Sequence, residues 1–114
     1  MTSPITTHVL DVARGRPASG VPVLLEIMKS ADEWSEISRG ETDDDGRLRT
    51  LLAPSALETA TYRIRFDTGA YFKAHGTEGF YPEVSIVFVV RDAASHYHVP
   101  LLLSPYGYST YRGS

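Results

Sequence analysis

The chain has 114 residues, enough for one domain and too few for two, so we expect a single domain spanning residues 1–114. Apolar residues make up 42% and charged residues 22% of the sequence, which is typical of globular proteins and excludes disordered or fibrous classes. With 11 basic and 14 acidic residues, a net charge of −3 and no basic stripe, the sequence argues against nucleic acid or an anionic membrane as a partner.

The sequence contains no cysteine, which excludes disulfides, thiolate catalysis and cysteine-ligated zinc. Its first residues, MTSPITTHVLD, have no basic region leading into an apolar run. The longest apolar stretches fall far short of the ~18 residues of a membrane span. We therefore expect neither a membrane segment nor an export signal and, if the source is bacterial, a cytoplasmic location.

Period-two alternation predicts β-strands along most of the chain. The first is ITTHVLDV, and the second alternates apolar residues at Val21, Val23, Leu25 and Ile27. EWSEISRGE, the stretch around Tyr62, Ile64 and Phe66, EVSIVFVV, HYHVPLLL and GYSTYR follow. Turn-rich segments separate these strands: RGRPASG, TDDDGR, LAPSA and SPYG. About seven short strands at this spacing favour an all-β sandwich over a barrel of longer strands.

Two shorter features complete this outline. GAYFKAHG is predicted to be helical, and PSALE is a weaker helix candidate. Both VSIVFVV and YHVPLLL carry apolar residues on both faces, which indicates a second burial surface and hence an oligomer. Pro100 cannot donate to a strand ladder, so we expect it at a sheet edge or at a bulge.

Four elements could carry chemistry: His8 in the first strand, Arg47 after the DDDG turn, His96 and His98 in HYH, and the final residues YRGS. Each has a common structural explanation when taken alone. A histidine in a strand is most often a hydrogen-bonded structural group. An arginine beside an Asp-Gly turn is usually solvated, and the last residues of a domain are usually frayed. His75 is expected at the surface.

A metal site is one alternative for the histidines. His96 and His98 are two residues apart and share a face of a strand, so with His8 they could offer three nitrogens to zinc. No acidic residue stands at a spacing that would orient the imidazoles. We therefore prefer a site without a metal.

Taken together, these segments resemble a known family. THVLD, GRPASGVPVLL, DDDGR, YRIRFDTGAYF, FYPEVSIVF and HYHVPLLLSPYGYSTYRGS are similar to the 5-hydroxyisourate hydrolases, transthyretin-related enzymes of urate breakdown. The resemblance runs from about residue 7 to residue 114. The final YRGS is its most specific part, because transthyretin itself shares the sandwich but lacks this tetrapeptide.

The resemblance implies a fold and an assembly. It implies a transthyretin-like β-sandwich of two antiparallel sheets, with seven to eight strands and one short helix, assembled as a homotetramer with its sites between subunits. The activity implied is hydrolysis of 5-hydroxyisourate without a metal or cofactor.

The resemblance also assigns the candidate residues. The catalytic group comprises His8, Arg47, His98 and Ser114. The substrate-binding group comprises His8, Arg47, Tyr111, Arg112 and Gly113. One departure lies beside Arg47: family members commonly carry asparagine where this chain has Asp43, which leaves the hydrogen bonding of the turn open.

These residue types suit hydrolysis of a cyclic amide. A histidine, His8 or His98, can activate water, and the planar fork of Arg47 can hold a urea-like edge and a developing oxyanion. Ser114 offers a hydroxyl and, as the last residue, a carboxylate. The remaining alternative is a carrier that holds an aromatic, hormone-like ligand in a channel between subunits.

Overall fold

Strands form about half of the described residues, and they enclose a common core. The computed structural model describes residues 3–114; the predicted domain begins at residue 1, and residues 1 and 2 lie outside the described residues. In chain order the elements are β1 (Ile5–Asp11), β2 (Arg16–Pro17), β3 (Pro22–Ser30), β4 (Glu33–Glu41), β5 (Arg47–Leu48), β6 (Ala60–Phe66), α1 (Thr68–Ala74), β7 (Val84–Val90), β8 (Tyr97–Ser104) and β9 (Gly107–Thr110).

The strands form two sheets. The first has the order β2-β1-β8-β9, with the short β5 also paired to β1. The second has the order β4-β3-β6-β7. This arrangement confirms the predicted all-β sandwich with one short helix. Two details differ. β1 and β8 run parallel while the other pairs are antiparallel, and the described residues form nine strands where seven to eight were expected.

The core lies between the sheets, and the predicted alternation places it correctly. Val23, Leu25 and Ile27 of β3 are at most 4% exposed. Their partners across the β3–β6 pair include Ile64 and Phe66, both fully buried. Apolar side chains at every second position thus bury one face of each sheet, which is the main stabilising contribution in a sandwich.

Pro100 lies in β8, between β1 and β9, so the expectation of an edge position is wrong. The β8–β9 ladder pairs Leu101 with Thr110, and an isolated bridge pairs His98 with Gly113 in the same antiparallel register. Pro100 falls in the gap between these two pairings. Its carbonyl oxygen accepts a hydrogen bond from the Thr110 hydroxyl at 2.7 Å. An interrupted ladder therefore accommodates the missing N–H.

The helix α1 matches the predicted helical segment and begins one residue earlier. The Asp67 carboxylate caps it by accepting from the Ala70 N–H at 3.0 Å. The segment PSALE, residues 54–58, begins with a turn and continues without regular structure, which corrects the expectation of a helix there. Within residues 3–114, no helix has the length and apolar character needed to cross a bilayer.

Candidate active site

A pocket of about 200 Å³ opens where β1, β5 and the start of β8 meet. It is lined by seven residues with polar side chains: Thr6, Thr7, Arg47, Arg49, His96, His98 and Ser114. The strand pairings explain this convergence. In register, Thr6 lies beside His98, and His8 lies between Arg47 and Pro100. Neighbours in register share a face of the sheet, so these side chains emerge together.

A tight turn places Arg47 beside β1. Gly46 adopts φ +75°, and a Cβ added there would lie 2.4 Å from the carbonyl oxygen of Val9. The Gly46 carbonyl oxygen accepts from the Val9 N–H at 2.7 Å. Glycine is therefore required for two reasons, its left-handed conformation and its close approach to β1. The residue after it enters β5 with its side chain directed to the pocket.

Asp43 completes this turn and resolves the point that the sequence left open. Its carboxylate oxygen Oδ1 accepts from the N–H groups of Asp45 at 2.9 Å and of Arg47 at 3.0 Å. Its own N–H donates to the Arg47 carbonyl oxygen at 2.8 Å. The hydrogen bond from the Arg47 N–H lowers the pKa of Asp43, and that from the Asp45 N–H lowers it further. An aspartate thus organises the loop that presents Arg47.

Two histidines share one hydroxyl group. The Oγ1 atom of Thr6 lies 2.8 Å from Nδ1 of His98 and 3.1 Å from Nε2 of His96. The two imidazole rings are 6.4 Å apart, centroid to centroid, and only 13° from parallel. Thr6 is 5% exposed, whereas His96 is exposed and His98 is half-buried. The buried hydroxyl therefore links a half-buried imidazole with an exposed one, and both line the pocket.

The surroundings of His98 favour its neutral form. Burial lowers the pKa of His98 below its ordinary value, and Coulombic interactions with Arg47, His96 and His8 lower it further. A neutral imidazole retains a lone pair on one ring nitrogen. His98 can therefore accept a proton at neutral pH.

The final residues are held against β8. The Gly113 N–H donates to the His98 carbonyl oxygen at 2.8 Å, and a Cβ added to Gly113 would lie 2.6 Å from Cδ2 of His98. The Arg112 guanidinium lies 4.4 Å from the centroid of the Tyr97 ring and donates to the His96 carbonyl oxygen at 3.3 Å. Ser114, next in sequence, reaches the pocket lining.

The predicted site residues thus separate into two groups. Arg47, His98 and Ser114 meet at the pocket. His8, Tyr111, Arg112 and Gly113 do not line it. His8 adjoins Arg47 in the β1–β5 pairing, Tyr111 is 57% exposed, and Arg112 lies over Tyr97, whose own side chain belongs to the core.

Sequence reasoning missed three lining residues, Thr6, Thr7 and Arg49. A signal existed for two of them. Thr6 stands two residues before His8, and Arg49 stands two residues after Arg47. Side chains two residues apart in a strand lie on the same face, so each could have been grouped with a residue that was already a candidate. The Thr7 hydroxyl instead donates to the Val99 carbonyl oxygen at 2.6 Å and ties β1 to β8.

The other features of the described surface look less like a reaction centre. Among residues 3–114, no three histidine or acidic side chains are grouped closely enough to hold a metal ion, so His8, His96 and His98 do not form the alternative zinc site. A larger groove of about 680 Å³ lies on the second sheet, and it has no histidine in its lining. Arg65 and Glu83 in that groove pair with each other at 2.7 Å.

Comparison with known proteins identifies the family. Residues 5–113 match the family model described as the HIUase/Transthyretin family. A probable 5-hydroxyisourate hydrolase of Caenorhabditis elegans is 49% identical over 99% of this chain and 83% of its own length. The 5-hydroxyisourate hydrolase of Mus musculus is 46% identical over 99% of this chain and 97% of its own length.

Solved structures support the same family assignment. The 5-hydroxyisourate hydrolase of Klebsiella pneumoniae superposes with a TM-score of 0.84 at 35% identity, over 96% of this chain and 92% of the other. Sea bream transthyretin in complex with thyroxine superposes with a TM-score of 0.91 at 31% identity, over 96% and 94%. The fold, the near full-length identities and the matched family model together show that this chain belongs to the HIUase/transthyretin family.

Proposed function

We propose that this protein hydrolyses 5-hydroxyisourate to 2-oxo-4-hydroxy-4-carboxy-5-ureidoimidazoline in urate degradation. The observation that carries the proposal is the convergence of His98, Arg47 and Ser114 on one polar pocket. Relatives that are 46–49% identical over nearly the whole chain bear the name of this hydrolase. Neither a metal nor a cofactor takes part in the proposed chemistry.

His98 is the proposed general base. Its Nδ1 atom is engaged with the Thr6 hydroxyl, which leaves Nε2 for the pocket. Because its pKa is lowered, the ring is neutral near pH 7 and can take a proton from an attacking water. His8 lies beside Arg47 on the same strand face and is proposed to contact the substrate from the rim of the pocket.

Arg47 is the proposed clamp and oxyanion stabiliser. Its guanidinium lines the pocket, and the ion pairs among the described residues do not include it, so its donors remain available. A planar fork of donors matches a urea-like edge of the substrate and can stabilise charge on the attacked carbonyl oxygen. Arg49 adds a second guanidinium at the same wall and favours anionic species.

The final residues have distinct proposed roles. Ser114 contacts the substrate directly, because it reaches the pocket. Gly113 allows the chain to lie against the His98 ring, and Arg112 anchors the segment to Tyr97 and His96. Tyr111 is exposed, so its proposed contact with the ring of the substrate depends on a cleft completed by a second subunit.

The proposed assembly is a homotetramer with its sites between subunits. Two exposed apolar regions support it. β7 is an edge strand whose outward residues Val87 and Val89 are 55% and 45% exposed. At the edge of the other sheet, Tyr108 of β9 is 42% exposed. Apolar strands at sheet edges are expected to be covered by pairing. A cytoplasmic location and a single domain for the whole chain complete the proposal.

A ligand carrier is the alternative, and one observation favours it. The TM-score to the thyroxine complex of sea bream transthyretin exceeds that to the Klebsiella hydrolase. Fold similarity alone does not decide function within a family. An apolar hormone needs a mainly apolar channel, whereas this pocket presents two arginines and two histidines. We therefore prefer the hydrolase.

The decisive experiment follows the ultraviolet absorbance of freshly generated 5-hydroxyisourate with and without the protein, after dialysis against a chelator. The proposal expects rapid decay that survives chelation and is lost in the His98→Gln variant. No acceleration by a folded sample would refute the hydrolase and direct attention to the carrier. Acceleration that disappears on dialysis would refute the metal-free chemistry.

A further inference from the structure

Thr6 contacts both His98 and His96, and the proposed hydrolysis gives neither Thr6 nor His96 a part in proton transfer. Its hydroxyl is within hydrogen-bond distance of Nδ1 of His98 at 2.8 Å and of Nε2 of His96 at 3.1 Å. A hydroxyl carries one hydrogen and also accepts. It can therefore donate to one imidazole while it accepts from the other, and when it donates to one ring, the other ring must donate to it.

We propose that Thr6 and His96 form a proton relay between Nδ1 of His98 and solvent, and that Thr6 thereby positions His98 and sets its tautomer. The kinetic part of this inference rests on the proposed function. The structural part, which is the coupling of the two imidazole rings through Thr6, is independent of the proposed function.

The geometry of the relay supports this assignment. Thr6 and His98 are direct partners in the parallel β1–β8 pairing, so the contact is fixed by the strands. Thr6 is 5% exposed, and its hydroxyl therefore meets these rings rather than bulk water. His96 precedes β8 and is exposed, so protons can be exchanged with solvent at its Nδ1 atom.

The relay allows His98 to act first as a general base and then as a general acid in one turnover. During attack, Nε2 of His98 accepts a proton from water, Nδ1 passes its proton to Thr6, the Thr6 proton moves to Nε2 of His96, and Nδ1 of His96 releases a proton to solvent. During departure of the leaving nitrogen the movements reverse: Nε2 donates to that nitrogen, and a proton enters from solvent through His96 and Thr6. The C–O bond forms and the C–N bond breaks, and His98 is neutral before and after each transfer.

Spectroscopy without substrate tests the coupling. Nitrogen-15 spectra of the full-length protein report the tautomer of each histidine. We expect Thr6→Val, which keeps shape and removes the hydroxyl, to change the tautomer ratio of His98. Thr6→Ser should preserve it, and so should Thr61→Val, the same substitution on β6 of the other sheet. An unchanged His98 spectrum in folded Thr6→Val overturns the proposal whatever the kinetics show.

Kinetics then test the relay. We expect Thr6→Val and His96→Ala each to lower kcat by about tenfold or more with little change in KM, because proton transfer is impaired while Arg47 still binds substrate. Added imidazole should restore His96→Ala, and Thr6→Ser should resemble the unmodified protein. Unchanged kcat in both variants overturns the relay. If the unmodified protein shows no hydrolysis, the proposed function and the relay fail together, and the spectra alone decide the tautomer.

Discussion

The backbone of Gly113 lies against the imidazole of His98: the two residues share a 2.8 Å hydrogen bond, and a Cβ at Gly113 would lie 2.6 Å from Cδ2 of the ring. The final segment and the proposed base are therefore positioned by each other. A substitution in the final segment is therefore expected to change the position of the His98 ring.

We expect Gly113→Ala to lower kcat/KM by about 10- to 100-fold, because the added methyl displaces the His98 ring from its productive position. The thermal midpoint should change little, since the ring can move without disturbing the core. Gly107→Ala is the matched control, because its Cβ would meet only the Ser104 hydroxyl at 3.8 Å. Full activity of Gly113→Ala would show that this contact does not position His98.

Deletion of residues 111–114 is expected to leave a folded protein with turnover largely lost. The core contains no side chain from this segment, whereas Ser114 lines the pocket and Gly113 supports His98. Circular dichroism would report the fold, and decay of 5-hydroxyisourate the activity. Unimpaired turnover in the shortened protein would remove the segment from the site.

Arg47→Lys is expected to lower kcat/KM by about 100-fold, because the charge stays while the bidentate fork of donors is lost. Arg39→Lys, on β4 of the other sheet, is the control and should leave kcat/KM unchanged. Steady-state kinetics of both variants would check this. Equal kinetics for Arg47→Lys and the unmodified protein would contradict the role of Arg47 as a clamp.

The pH profile should reflect the lowered pKa of His98. Its neutral form is the active base, so the acidic limb of kcat/KM should lie below the ordinary histidine value of 6.5. A limb above that value would contradict His98 as the base. Rates measured across the acidic range, with ionic strength held constant, would locate the limb.

The free energy of unfolding should also depend on the protonation of His98, and the direction of the change with pH can be stated. His98 binds its proton less readily in the folded chain than in the unfolded chain, so the unfolded state holds more protons between the two pKa values. The free energy of unfolding should therefore fall as the pH decreases through the unfolded value toward the folded one. Denaturant titrations should show a weaker decline for His98→Gln.

Asp43 offers a test of how Arg47 is presented. Asp43→Asn keeps an oxygen that can accept from the N–H groups of Asp45 and Arg47, so activity should remain near that of the unmodified protein. Asp43→Ala removes the acceptor, loosens the turn and should lower kcat/KM by about tenfold. Steady-state kinetics would compare them; equal losses in both variants would mean that the charge matters rather than the turn.

The sequence predicted the long strands well because burial imposes a visible period. Val23, Leu25 and Ile27 are buried at every second position of β3, where only Glu26 between them is buried as well, and strict alternation holds from Tyr62 to Phe66. The two-residue strands β2 and β5 lie in turn-rich segments and were missed, since two residues cannot display a period. The parallel pairing of β1 with β8 was also missed, because local patterns carry no information on distant partners.

The site was predicted unevenly for a similar reason. Spacing alone left His8, Arg47 and His98 as isolated candidates, and the family resemblance grouped them. Arg47 and His98 do meet at the pocket with Ser114. Thr6 was overlooked because a threonine in a strand is ordinary, and its importance appears only when β8 places two imidazoles beside it.

The parallel β1–β8 pairing has a consequence for how the protein is made. Thr6 and His98 are 92 positions apart in sequence, so the pocket joins two segments that leave the ribosome far apart in time. Closing so long a loop is entropically costly and typical of slow-folding β topologies. Most of the second sheet can pair during synthesis, at about 5–20 residues per second, while β1 still lacks β8. A chain released before β8 is made would therefore expose the unpaired backbone edge of β1 and lack the His98 side of the pocket.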